Sequence, residues 1–217
     1  MISFAGNDFL PLKNGALWWP SARTLLVADL HLEKGSFFAS HGQMLPPYDS
    51  VETLAQLAHS IDACQPQQVI CLGDSFHDPQ AFERLHLETR LHLRRLTRET
   101  EWLWITGNHD PAIADDLGGK SLAETMLENI RLRHEAVPGE AAAEISGHYH
   151  PKLWLRIRGR MVARRCFAQS PTKLVLPAFG AFTGGFDVTD PKLAAVLGTP
   201  ITAIIASDTG VRHFPVV

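Results

Sequence analysis

Residues 24–31 read TLLVADLH, an apolar run that meets Asp29 and His31 as soon as it ends. A run this short and apolar suits a strand buried on both faces, with polar residues delivered to a functional loop at its C-terminal end. The pattern recurs: residues 68–72 (QVICL) lead into Gly73-Asp74, and residues 102–106 (WLWIT) lead into Gly107-Asn108-His109-Asp110. Between these runs, residues 48–63 and 79–97 carry apolar side chains at helical spacing, including Leu54, Leu57, Ala58 and Ile61, then Leu85, Leu91 and Leu96. Pro46-Pro47 and Asp49-Ser50 punctuate the start of the first helix, and Pro79 fits the first turn of the second.

Beyond residue 129 this β-α-β rhythm gives way to short strands, expected over 130–134, 143–146, 154–157, 161–167, 173–176 and 202–206, with few helices. The combination predicts an α/β fold of two packed sheets with helices outside at least the first. The Gly- and aromatic-rich loop 176–185 (LPAFGAFTGG) reads equally as a binding loop or a turn cluster. With 217 residues, 45% of them hydrophobic, and no repeat or linker, one domain is expected over residues 1–217. A net charge of -3 argues against coating nucleic acid by bulk electrostatics, so any polyanion site must be local. Cys64, Cys71 and Cys166 lack C-x-x-C pairing and are expected to be reduced thiols. With no signal-like N-terminus and no bilayer-length apolar run, a cytoplasmic protein without membrane attachment is expected.

In an extended segment Asp29 and His31 would project to one face and offer a carboxylate and an imidazole to a single ion. Asp74, with two carboxylate oxygens, can bridge two cations; Asn108 adds a neutral oxygen, and His134, His148 and His150 add imidazoles. Such a mixed set suits Mn²⁺, Fe or Zn²⁺ better than Mg²⁺ or Ca²⁺, which prefer oxygen. Two ions about 3.5–4 Å apart stabilise the attacking and leaving oxygens of an in-line displacement, so the chemistry indicated is phosphoester hydrolysis. His109, beside Asn108, is the candidate acid for the departing alkoxide, with Asp110 its candidate orienting partner.

These clusters, D-x-H, G-D, G-N-H-D, an isolated His and G-H-x-H, resemble the calcineurin-like metallophosphoesterase superfamily over residues 24–151. The resemblance implies a four-layer α/β/β/α sandwich of two mixed sheets with two metals at the strand ends. It assigns Asp29, His31, Asp74 and His150 to the first metal, and Asp74, Asn108, His134 and His148 to the second. Where the superfamily often shows His-Gly, this chain has His134-Glu135.

Gly73 to His77 form GD-x-F-H, similar to a segment of the double-strand-break repair nucleases of the superfamily; its protein phosphatases tend to carry Asp at the position of His77. His77 is thereby expected to assist His109, with Asp78 behind it. VADLHLEKG (27–35), CLGDSFHD (71–78), His134-Glu135, ISGHYHP (145–151) and the 176–185 loop are similar to the bacterial ligase-associated DNA damage response endonuclease family. That resemblance implies cleavage of the DNA backbone with two divalent ions, Mn²⁺ foremost, alongside an ATP-dependent DNA ligase and a helicase in repair. Lys152, Arg156, Arg158, Arg160, Arg164 and Arg165 stand without an acidic residue between 152 and 186. Arg156, Arg158 and Arg160 would share one strand face and meet successive phosphates, with Trp154 extending the row to stack on a base; a solvated hairpin explains them equally. A small-molecule enzyme acting on cyclic nucleotides or nucleotides, and a metal-stabilised scaffold without activity, remain the rivals.

Overall fold

The computed structural model describes residues 1–217 apart from Met44, Pro47, Ala114 and Val217, so half of the Pro46-Pro47 punctuation lies outside the described residues. Its first sheet contains, in spatial order, β1 (Ile2–Phe4), β2 (Asn7–Pro11), β3 (Leu17–Trp19), β4 (Thr24–Val27), β5 (Gln68–Leu72), β6 (Glu101–Ile105) and β7 (Lys120–Leu122). Pairing is antiparallel from β1 to β4 and parallel from β4 to β7. The second sheet begins with β8 (Glu124–Leu127), β9 (Ile130–Arg133) and β10 (Glu144–Ser146). A separate hairpin follows, β11 (Lys152–Ile157) with β12 (Arg160–Arg165). The chain then returns to the second sheet as β13 (Phe167–Gln169), β14 (Lys173–Val175), β15 (Thr202–Ser207) and β16 (Gly210–Pro215), in the order β16-β15-β13-β14-β10-β9-β8.

Alternation along the strands builds the layers. Leu26, Ile70, Leu72, Leu103 and Ile105 point into a core shared with Ile130, Leu132, Ile145, Leu174 and Ile204 of the second sheet. Leu25, Val27, Val69, Cys71, Trp102 and Trp104 point the other way, against α2 (Asp49–Cys64) and α4 (Leu87–Glu99), which present Leu54, Leu57, Leu93 and Leu96. Each such leucine contributes about 1.5–3 kcal/mol by leaving water. Burial on both faces is why these strands read as unbroken apolar runs. The outer face of the second sheet packs Ala168, Val175 and Ala203 against Leu193 and Leu197 of α5 (Pro191–Leu197). The layers are therefore α/β/β/α, two mixed sheets between helices.

Several expectations change. The helix expected over 79–97 is split into α3 (Ala81–Arg84) and α4, because Leu85 turns extended (ψ 127) while its side chain stays buried. Another helix, α1 (Lys34–Ser40), reads KGSFFAS and lacks an apolar period. The strand expected over 161–167 ends at Arg165, and from Phe167 the chain pairs with a different sheet. Among the described residues no helix is long and apolar enough to cross a membrane.

Candidate metal centre

The sequence clusters lie at the C-terminal ends of β4, β5, β6, β9 and β10, where the strand ends of both sheets meet. Asp29, His31 and His150 converge in one group of donors and Asp74, His134 and His148 in a second, the donor atoms of each lying within 4.8 Å of one another. Asn108 joins the second group through Oδ1, 3.0 Å from His134 Nε2. Asp74 Oδ2 is 3.4 Å from His134 Nε2 and 4.0 Å from His31 Nε2, so one oxygen faces both groups. Asp74 Oδ1 accepts the His109 backbone N–H at 2.9 Å, which ties the loop after β6 to the carboxylate that stands between the two groups.

The extended geometry expected for Asp29-x-His31 does not occur, and His148-x-His150 is not extended either. Asp29 (φ 56), His31 (φ 45), Asp74 (φ 47), His148 (φ 70) and His150 (φ 46) all sit in the left-handed region. Such residues cost of order 1–3 kcal/mol each, persist where the surroundings dictate them, and cluster at functional sites. The motif glycines allow the approach: a Cβ on Gly73 would lie 2.2 Å from His134 Nδ1, one on Gly107 2.2 Å from Asp74 Oδ1, and one on Gly147 2.6 Å from Asp29 Oδ2.

His31 Nε2 and His150 Nε2 face each other at 3.3 Å, and His148 Nδ1 faces His134 Nε2 at 3.1 Å. Opposed ring nitrogens attract only with a proton or cation shared between them, and His31 Nδ1 is buried without a partner. His134 donates from Nδ1 to the Leu72 carbonyl (3.0 Å), which turns Nε2 to the cluster side. Burial, together with His150, drives His31 down to about 2, so its imidazole is neutral and ready to ligate. Burial opposes charge on His134 as well, but the Asp74 hydrogen bond and Asp29 lift it to about 9. Asp74 is held below the usual carboxylate range: burial opposes this, and His134 and the His109 N–H outweigh it. The carboxylates that raise His134 mark concentrated negative charge, which a divalent cation would neutralise in place of the His134 proton, so with the other imidazoles this is a donor set suited to divalent cations.

His109 donates from Nδ1 to the His77 carbonyl at 2.7 Å and stacks on the His77 ring, centroids 5.2 Å apart at 19°. His77 is pushed down to about 4 by burial, Lys34 and His109. His31, His77 and His109 themselves form a third donor group. Asp110 does not orient His109. Its carboxylate, 1% exposed, accepts from Ser75 N (2.6 Å), Phe76 N (3.1 Å) and Gly107 N (3.0 Å), tying the loops after β5 and β6 together. Asp78 is engaged by Arg84 and by Gln80 N rather than by His77.

Of the two readings of Arg156, Arg158 and Arg160, the one-face row does not form and the exposed hairpin does. Arg158 (φ 49) and Gly159 (φ 79) make the hairpin turn, and the register Arg156↔Met161, Ile157↔Arg160 places Arg156 and Arg160 on opposite faces. The face carrying Arg156 also carries Trp154, Lys152 and Arg165, the last two directly opposite each other. Loop 176–185 straps the centre together. Phe179 N bonds Ala28 O (2.8 Å), Gly180 N bonds Asp29 O (3.1 Å) and Leu176 N bonds Ser146 O (2.8 Å), so the loop joins both sheets beside the donors.

The calcineurin-like phosphoesterase family model matches residues 22–159, the span that holds every donor described above. The chain belongs to the calcineurin-like phosphoesterase family. Among solved structures, a Pseudomonas putida nuclease MPE is similar at 30% identity, with 94% of each chain covered and a TM-score of 0.76. Yfce, a phosphoesterase from E. coli, aligns at 13% identity over 89% of this chain and 99% of its own, with a TM-score of 0.45. A search among proteins of curated function finds no match. As a member of this family the chain is a metal-dependent phosphoesterase.

Sequence reading missed Lys34 of α1 and underused Lys152 and Arg165. Burial and the nearby Lys152 lower Lys34, while burial and Arg165 lower Lys152. Basic residues that depress one another mark positive potential that the formal charge of -3 conceals.

Proposed function

We propose that residues 1–217 act as a single metallophosphoesterase domain that hydrolyses phosphodiesters with two divalent ions, Mn²⁺ the preferred pair, and that its substrate is DNA, cut internally during repair in the cytoplasm. The observation that carries this is the pair of donor groups sharing Asp74 Oδ2, with His109 fixed beside them. Asp29, His31, Asp74 and His150 would hold one ion; Asp74, Asn108, His134 and His148 the other. Ions bound there supply charge for the phosphoryl oxygens and activation of the attacking water.

The side chains do the rest. His109, its ring fixed through Nδ1 on the His77 carbonyl, presents Nε2 as the proton donor to the leaving oxygen. His77, neutral and stacked on it, holds the ring in plane and excludes water. DNA as substrate is supported by the likeness to a nuclease at 30% identity and by Lys34, Lys152 and Arg165 around the donors. A ligase and a helicase as functional associates rest on the family resemblance alone.

The test is hydrolysis by the Mn²⁺-loaded protein of bis-p-nitrophenyl phosphate, p-nitrophenyl phosphate, cyclic nucleotides and plasmid DNA. Diester turnover with plasmid nicking is the expected result. Diester turnover without nicking would remove DNA and leave the phosphodiesterase.

A further inference from the structure

Beside His150 a cavity of about 220 Å³ opens between the β11–β12 hairpin and the 176–185 loop, lined by His150, Lys152, Ala163, Arg165, Phe182 and Thr183 among others. Two cations share it. Lys152 and Arg165 are cross-strand partners, and like charges set directly opposite on a ladder repel. Neither has a carboxylate within 4.0 Å among the described residues. Their described hydrogen bonds go to neutral carbonyls: Lys152 Nζ to Thr183 O (2.8 Å), and Arg165 Nη1 to Asn14 O (2.9 Å) and Phe179 O (3.2 Å). Asp187, whose backbone bridges to Lys152, instead turns its carboxylate to Thr189 N (2.9 Å) and Thr189 Oγ1 (2.8 Å).

Two adjacent, half-buried cations with no acid among the described residues to neutralise them make a site for an anion. The remaining Lys152 and Arg165 N–H groups are donors only, and a phosphate oxygen is the acceptor that satisfies both. Because His150 forms part of the same wall, the anion held there adjoins the donor cluster without occupying it.

We propose that the Lys152–Arg165 cleft binds a non-scissile phosphate of the polynucleotide, next along the backbone to the one being cut. This rests on the nucleic-acid reading above and adds to it a strand-positioning subsite. The reacting atoms are handled by the donor groups and His109; Lys152 and Arg165 set which phosphate reaches them. A substrate with one phosphate leaves the cleft unused, and one with a second phosphate fills it.

The test uses the full chain and two variants, Lys152→Gln and Arg165→Lys; the second keeps the charge and a donor toward Asn14 and Phe179 while removing the fork. Binding of fluorescein-labelled oligothymidylates of one to six nucleotides is followed by anisotropy in Ca²⁺. Turnover of bis-p-nitrophenyl phosphate in Mn²⁺ and thermal melting serve as controls. The wild-type chain should tighten at least 10-fold once a second phosphate is added. Lys152→Gln should lose that gain and flatten the salt dependence by about 0.7 in log–log slope, one phosphate contact on a single strand, with diester turnover within twofold of wild type. Arg165→Lys should weaken the gain and keep the slope. Unchanged oligonucleotide affinity in Lys152→Gln would overturn the subsite and leave the nuclease reading standing. Length-dependent binding lost in Lys152→Gln, from a protein that cuts no DNA, would keep the subsite and defeat the nuclease instead.

Discussion

Replacing Gly107 with alanine tests whether the donor loops are packed as tightly as the geometry indicates. A Cβ at this position would lie 2.2 Å from Asp74 Oδ1, 2.4 Å from Asp74 N and 2.9 Å from Asp110 Oδ1. Restoring an ordinary carbon–oxygen separation of about 3.3 Å requires the Asp74 carboxylate or its backbone to move by about 1 Å. Neither is free to do so. The Asp74 carbonyl accepts from His31 N at 2.9 Å, and the Asp110 carboxylate clamps three backbone amides. Overpacking of this kind costs about 1–3 kcal/mol, or about 2–12 °C in Tm for a chain of this size. A 1 Å misplacement of a reacting group costs about 100-fold in rate. Because one Asp74 oxygen faces both donor groups, affinity for both ions should fall together. Diester hydrolysis, Mn²⁺ titration calorimetry and thermal melting read the three effects. A Gly107→Ala protein with turnover within threefold of wild type and both Mn²⁺ sites intact would refute the shared, rigid Asp74.

Asp110→Asn puts an amide donor against a backbone N–H and loses a charge-assisted hydrogen bond, about 1.5–3 kcal/mol. Burial raises the Asp110 carboxyl to about 6, above its unfolded 3.8, so its stabilising share is full below pH 3.8 and is lost as pH rises through about 6. Urea unfolding from pH 4 to 7 should show that decline in wild type and not in Asp110→Asn; parallel profiles would count against it. Mn²⁺ at 100 times its Kd should add about 2.7 kcal/mol per site, raising Tm by about 10–20 °C for two sites. A shift under 2 °C, or one kept in Asp74→Ala, would contradict the shared site. Arg158→Ala and Arg160→Ala, at the exposed turn and away from the Lys152 face, should change KM for DNA less than twofold; a fivefold rise would restore the arginine row. His109→Ala should cut kcat at least 100-fold with Mn²⁺ binding kept, and unchanged kcat would exclude it as the acid.

What the sequence disclosed depended on whether a position was governed by local pattern or by contacts far along the chain. The strands at 24–27, 68–72 and 101–105 were legible because burial on both faces leaves continuous apolar runs with polar residues where they end. The donors fell at those ends, so the cluster could be anticipated from residue types and order. The left-handed backbone at Asp29, His31, His148 and His150 was not legible, since D-x-H and H-x-H fit an extended segment equally well. The strands β1, β2 and β3 are short and pair by tertiary contact, and α1 has no apolar period to read. Asp110 was misassigned because adjacency to His109 in sequence says nothing about where its carboxylate points. For the arginines the sequence left a one-face row and a solvated hairpin equally open, and the Arg158-Gly159 turn decides for the hairpin. For α5 the missed signal was Asp190-Pro191, an N-cap followed by proline at the first helical turn.

The left-handed donors also explain how the centre is built. Residues held at φ 45 to 70 disfavour the fold unless their neighbours leave no alternative. Here the neighbours are one another: Asp29 N bonds Gly73 O (3.1 Å), His31 N bonds Asp74 O (2.9 Å), and Gly147 N bonds His134 O (2.9 Å). His148 N, in turn, bonds the Asp29 carboxylate at 3.0 Å, so a donor from the second sheet fixes one from the first. The loops thus form a lattice of main-chain bonds anchored on two sheets whose cores are far larger than the strain they restrain. Such a lattice holds donors in register before any ion arrives, which is what preorganised catalysis requires. It also leaves little room for variation within itself, because each motif glycine already touches a donor or its loop. Selectivity among phosphoesters must then come from segments outside the lattice, and the β11–β12 hairpin with the face of α1 that carries Lys34 are the elements placed to provide it.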